Sequence, residues 1–168
     1  VSNVKTIFSS KRAKSAICEN GKVFSWGDID YGADAPADLT GVIDIKSNEK
    51  AFAALYHNGD IVCWGDTTNG GSTPSDVSNV VQLYSNKSAF TALSSDGTIK
   101  SWGTLNSTTS PTDNKFVDVF STDDAFTGLK SDGTVKCWGS SDSRQNTPPT
   151  DLSNVSFIFS NQTAFASL

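Results

Sequence analysis

The stretch AFAALYHNGDIVCWG, Ala51–Gly65, decides the fold. It reads as two short strands about a tight turn. In AFAAL, Phe52 and Ala54 project to one side and Ala51, Ala53 and Leu55 to the other. In IVCW, Ile61 and Cys63 oppose Val62 and Trp64. Asn58-Gly59 between them is the strongest short hairpin signal, because that dipeptide tolerates the positive φ of a type I′ turn. Both faces of the hairpin are apolar. A lone hairpin leaves one of them in water, so both need cover.

The cover comes from repetition. Trp-Gly recurs at Trp26, Trp64, Trp102 and Trp138, in steps of 38, 38 and 36 residues. The turn pairs Asn20-Gly21, Asn58-Gly59, Asp96-Gly97 and Asp132-Gly133 keep the same steps, and so do Ala13, Ala51, Ala89 and Ala125. A fifth such alanine follows in Ala164-Phe165. The repeats run 1–38, 39–76, 77–112 and 113–151, with a partial fifth over 152–168. Each opens with a β-branched and aromatic segment (VKTIFS, VIDIKS, VVQLYS, FVDVFS, VSFIFS) that reads as a further strand. Copies of one sheet stacked side by side bury each other's faces. Alternating Ala and Phe suits faces that pack closely at one edge and wider at the other. The prediction is an all-β chain, one repeat domain over 1–168, built as a β-propeller of three-stranded blades of about 38 residues.

The stretches SAICENGKVFSWGDIDYG and AFTGLKSDGTVKCWG carry a family resemblance. The chain resembles proteins with regulator-of-chromosome-condensation-type repeats. Their signature is a small-apolar strand, Asp/Asn-Gly, a short strand ending in Trp-Gly, and a Gly-containing loop. The shorter period is nearer to that of the bacterial β-lactamase inhibitor protein II, a propeller of the same repeat type. The resemblance implies a propeller that binds other proteins through loops at a rim or face. Neither nucleotide exchange nor inhibition carries over, because no residue maps onto an exchange site and the contact loops are the parts that vary. Val1 begins a complete repeat, so no spare third strand is left for the fifth. Three outcomes stay open: a five-bladed ring with one thin blade, part of a longer propeller, or a ring completed by a second chain.

Composition excludes several classes. Net charge is −5, and the 13 basic residues are scattered, which argues against nucleic-acid binding. Lys11, Arg12 and Lys14 form the one tight basic group and read as a solvated turn. No apolar run reaches the length of a membrane-spanning helix. A low charged fraction of 18%, with abundant Ser, Thr, Asn and Gly, fits a turn-rich β protein and favours an extracellular or cell-surface setting. There is no signal-peptide pattern and no Met, so the chain reads as a processed form or a piece of something longer. Cys18, Cys63 and Cys137 lack CxxC spacing and read as small apolar packing residues.

No enzyme and no cofactor is expected. The single histidine, His57, sits at a hairpin turn, and no nucleophile, phosphate-loop or zinc motif occurs. Asp28, Asp30 and Asp34 are spaced loosely like a calcium loop but lack its central Gly and distal Glu, so no metal is expected. The four Trp read as core before sugar platforms.

Variety is concentrated in the loops after each Trp-Gly: DIDYGADAPAD, DTTNGGSTPSD, TLNSTTSPTD and SSDSRQNTPPTD. Such loops on a fixed scaffold carry binding function. Tyr31 and Arg144 are the residue types found at binding hot spots, and Asp28 and Asn69 are the polar candidates beside them. Among the Asn-X-Ser/Thr sequons, Asn106 and Asn86 are the candidate glycosylation acceptors. The expected role is a non-catalytic module binding a protein partner. One alternative is a structural repeat of a surface assembly, self-associating through the unfinished fifth repeat. Another is a lectin-like propeller binding sugar at each repeat.

Overall fold

The computed structural model describes residues 3–106, 109–142, 147–149 and 152–168. Each repeat folds into its own antiparallel sheet. Blade 1 is β1 (Val4–Ser9), β2 (Ala13–Cys18) and β3 (Val23–Gly27). Blade 2 is β4 (Val42–Ser47), β5 (Ala51–Tyr56) and β6 (Ile61–Gly65). Blade 3 is β7 (Val80–Ser85), β8 (Ala89–Ser94) and β9 (Ile99–Gly103). Blade 4 is β10 (Phe116–Ser121), β11 (Phe126–Lys130) and β12 (Val135–Trp138). Blade 5 has only β13 (Ile158–Ser160) and β14 (Phe165–Ser167). One 3-10 turn, Ile29–Tyr31, follows the first Trp-Gly.

The hairpin turn differs from the sequence reading. A type I′ turn needs positive φ at both central residues. Only the glycines have it: Gly21, Gly59, Gly97 and Gly133 lie at φ 74° to 84°, while Asn20, Asn58, Asp96 and Asp132 do not. The turn is a type I turn closed by a left-handed glycine, the three-residue hairpin with a bulge. Gly59 donates to the Tyr56 carbonyl (3.0 Å) and Tyr56 to the Asp60 carbonyl (2.9 Å). The Asn or Asp serves through its side chain, whose oxygen accepts the N–H two residues on, as Asn58 does from Asp60 (3.1 Å) and Asp96 from Thr98 (2.9 Å).

These glycines also meet the next blade. The Gly21, Gly59, Gly97 and Gly133 carbonyls accept from Val42, Val80, Phe116 and Val155, at 2.9 to 3.2 Å. A Cβ on Gly59 would lie 2.9 Å from the Asn79 Cα. The same position therefore needs glycine for conformation and for close approach.

Between blades lies the core. One face of each inner blade carries its Phe-Trp pair, and Leu55, Leu93 and Leu129 lie on the other. Leu55 and Cys63 of blade 2 pack on Leu83, Phe90 and Trp102 of blade 3. Ala13 and Ile17 meet Ile45, Phe52 and Trp64 across the first interface, and Leu93 meets Val119, Phe126 and Trp138 across the third. Leu129 meets Val155 and Ile158 across the fourth. The cysteines are free thiols. Burial pushes the Cys63 thiol up to about 12, as a packing residue requires.

The array is open: of the three outcomes left by the sequence, this structure does not show the closed five-bladed ring. Trp64, Trp102 and Trp138 are at most 9% exposed, but Trp26 is 46% exposed. Ile7 is 54% exposed, whereas its counterpart Ile45 is fully buried. At the other end Leu168 is 74% exposed and Ala164 is also exposed. The outward faces of the two terminal blades lack the cover that each inner blade receives.

Candidate binding face

Two sets of segments emerge on one face of the array. The first is the turn between the first and second strands of each blade. Its Ser, Asn or Thr side chain closes it by accepting the N–H of the following alanine: Ser10 from Ala13 (3.0 Å), Asn48 from Ala51 (2.8 Å), Asn86 from Ala89 (2.8 Å), Thr122 from Ala125 (3.0 Å) and Asn161 from Ala164 (2.8 Å). The second set is the Trp-Gly loops. In blades 1 to 3 the residue after Trp-Gly ties loop to turn: Asp28 N–H donates to the Arg12 carbonyl (3.1 Å), Asp66 to Lys50 (3.1 Å) and Thr104 to Ser88 (2.9 Å). Gly27, Gly65 and Gly103 permit that approach at φ 96° to 116°.

The turns also join blade to blade. Lys11 donates to the Glu49 carbonyl (2.9 Å), Glu49 to Lys87 (3.2 Å), Lys87 to Asp123 (3.0 Å) and Asp123 to Gln162 (2.9 Å). They enclose a polar hollow of about 720 Å³. Its charges alternate, with Glu49 3.9 Å from both the Lys11 and the Lys87 ammonium. Of the basic group, Lys11 and Arg12 each face an acidic partner. Arg12 faces Asp28 at 3.7 Å.

Around the hollow, the first loop builds the most distinctive patch. The Tyr31 ring is half-buried and flanked by the Arg12 guanidinium (4.9 Å from its centre) and the Lys50 ammonium (5.7 Å). Cations on a ring face hold it in place. The Tyr31 carbonyl accepts from Ser10 Oγ (2.7 Å). Asp28 Oδ1 caps the 3-10 turn through the Asp30 N–H (3.1 Å). Asp28 and Tyr31, both predicted, therefore meet in one patch, joined by Arg12 and Lys50.

Asn69 lies one blade along and is committed to its own loop. Its N–H and Nδ2 both donate to Asp66 Oδ1 (2.9 and 2.8 Å), and its carbonyl accepts from Asn48 Nδ2 (2.6 Å). The Asn69 side chain holds the Asp66 carboxyl below the usual range. Arg144 lies outside the described residues. Asn106 is exposed, its N–H donating to the Gly139 carbonyl (2.7 Å). Asn86 is only 8% exposed, with its Oδ1 engaged by the N–H groups of Ser88 and Ala89. That placement corrects its reading as a glycosylation acceptor, since an acceptor amide must reach solvent.

The tryptophans of blades 2 to 4 are not sugar platforms. Their indole N–H groups donate inside the interfaces: Trp64 to the Gly32 carbonyl (3.1 Å), Trp102 to Gly70 (3.1 Å) and Trp138 to Ser101 Oγ (2.9 Å). Among the described residues no group of three potential metal ligands is found, and Asp28 is committed to Arg12 and Asp30. His57 is exposed at the opposite end. Sequence reasoning missed Arg12 and Lys50. Their signal was present: positions 12, 50, 88 and 124 read Arg, Lys, Ser and Asp inside an otherwise repeated turn.

No family model matches the chain, and no curated protein matches it in sequence. Solved structures do. The ectodomain of the receptor kinase CR4 from Physcomitrella patens superposes with a TM-score of 0.64 at 18% identity, over 95% of this chain and 45% of that one. Human WBSCR16 gives 0.63 at 19%, over 98% and 59%. Prp20p from Saccharomyces cerevisiae, described with its binding to Gsp1p and histones, gives 0.60 at 19%, over 81% and 45%. The chain spans about half the length of these structures. At such identities the likeness shows the fold alone, and that fold is the β-propeller.

Proposed function

We propose that this chain is a non-catalytic propeller module that binds another protein through the face built by the Trp-Gly loops and the adjoining turns. The patch of Tyr31 between Arg12 and Lys50 carries this reading: a tyrosine on a loop that the scaffold fixes by hydrogen bonds, beside an arginine from the adjoining turn, both hot-spot types. Similar structures support it. Yeast Prp20 is described in complex with Kap60, and Prp20p with binding to Gsp1p and histones. The period, near that of β-lactamase inhibitor protein II, supports a module of this kind without importing its target.

The test is capture of proteins from the native source by the wild type and by a variant with Tyr31→Ala, Arg12→Ala and Lys50→Ala together. Loss of the recovered partners, with circular dichroism unchanged, supports the face; an unchanged set of partners sinks it.

A second reading, a structural unit of a larger assembly, is favoured by the open face of blade 1. Ile7 and Trp26 are exposed where every inner blade buries the same positions. That face would take the Ala-Leu side of another blade. Light scattering over a range of concentrations tests it with Trp26→Glu as control: a mass that rises for the wild type and stays flat for the variant supports assembly, and two flat curves end it.

A further inference from the structure

The third strand of each inner blade forms its outer edge. First strands of successive blades touch, β4 with β7 and β7 with β10, and within each sheet the third strand lies farthest from the first. A strand at an edge offers a row of unpaired N–H and C=O groups on which another chain can build. Blades 2 and 3 each have a neighbour packed on both sides, so their outer edges do not arise from where the sequence begins or ends.

Both edges are closed at their middle. Cys63 is the central residue of β6, and Ser101 is the central residue of β9. The Cys63 N–H donates to Thr73 Oγ1 (2.8 Å) and the Ser101 N–H to Ser110 Oγ (3.3 Å). In each case the acceptor sits on the returning limb of the same blade's Trp-Gly loop. It stands directly before a proline, in Thr73-Pro74 and in Ser110-Pro111. Proline keeps the residue before it extended, which lays the limb along the strand. It also brings no N–H of its own to the rim. The first loop has Ala35-Pro36 at this place. Alanine has no side-chain oxygen, so Ser25 at the middle of β3 lacks this cap.

We propose that Thr73 and Ser110 are edge guards. Their hydroxyls occupy the central outward donors of β6 and β9, and so keep each strand from pairing with the same strand of a second copy of this chain. A hydroxyl that only shaped its own loop would leave the strand closed when removed. A guard, when removed, frees the strand. This role is separate from the Tyr31 patch and does not depend on it.

The test is residue-resolved amide hydrogen exchange, with light scattering over a range of concentrations. Both are run on the chain carrying Trp26→Glu, which takes the open face of blade 1 out of the measurement. Thr73→Val and Ser110→Ala together should speed exchange at Cys63 and Ser101 about ten-fold, the loss of one hydrogen bond at each. The same variant should show a mass that rises with concentration. Ser110→Ala alone, the milder change, should raise the rate at Ser101 and leave Cys63 as it was. Thr73→Ser, which keeps the oxygen, should match the unaltered chain in both measurements. Unchanged rates at Cys63 and Ser101 overturn the proposal. Faster exchange with a flat mass overturns it too, because the hydroxyls would then serve their loops and guard nothing.

Discussion

Lys115 is the residue that fits its backbone least well. The residue before the first strand of blades 1 to 4 is left-handed, as is its counterpart in the fifth repeat: Asn3, Gly41, Asn79, Lys115 and Asn154, at φ 53° to 77°. Asn and Gly visit that region easily and a long side chain does not. Lys115→Asn should therefore stabilise the chain by about 0.5–1 kcal/mol, read from urea unfolding. Gly70 is the converse. Its φ is 91°, and an added Cβ would sit 2.8 Å from the Phe90 ring, which is fully buried. Gly70→Ala should cost about 2–3 kcal/mol by strain and overpacking. The turn carboxylates titrate predictably. Thr98 and Thr134 hydroxyls and amides hold Asp96 and Asp132 below the usual carboxylate range. A depressed folded pKa means the stabilisation is complete above the unfolded value of about 3.9 and disappears as pH falls through the folded value. Thermal midpoints should hold steady from pH 8 to 5, as far as these groups decide it, and fall below about pH 4.

At the scale of the strand, the periodicity was enough. The period-2 alternation of AFAAL and IVCW placed each side chain on its face, and the Trp-Gly spacing placed every third strand. The turn type was not legible, because Asn-Gly suits both a type I′ turn and a type I turn with a left-handed glycine. The choice is made by the next blade, whose first strand needs the glycine carbonyl. The binding patch was half legible for a related reason. Tyr31 and Asp28 stand out in their loop, but Arg12 and Lys50 come from turns in two different blades and meet the ring only after folding. Likewise the sequon at Asn86 is a local pattern, whereas its burial comes from the turn it closes. Trp102 and Trp26 share one sequence context and differ in cover. Trp102→Ala should cost about 3–5 kcal/mol, as deletion of a buried aromatic does. Trp26→Ala should cost about 1 kcal/mol or less, because Trp26 has no blade over it. Equal losses in denaturant unfolding would mean that blade 1 is covered in solution.

Across the whole molecule, stability is a sum of blade-to-blade interfaces, as in other repeat proteins. The inner blades 2, 3 and 4 have a neighbour on both sides, and blades 1 and 5 on one. Local opening should follow that count, since amides open most readily where few apolar contacts hold them. Amide hydrogen exchange on dilute protein measures it directly. Mutual burial in an open array predicts the strongest protection in β5, β8 and β11, and the weakest in β1 and β14. Even protection from β2 through β14 would contradict it, because a closed ring gives every blade two neighbours.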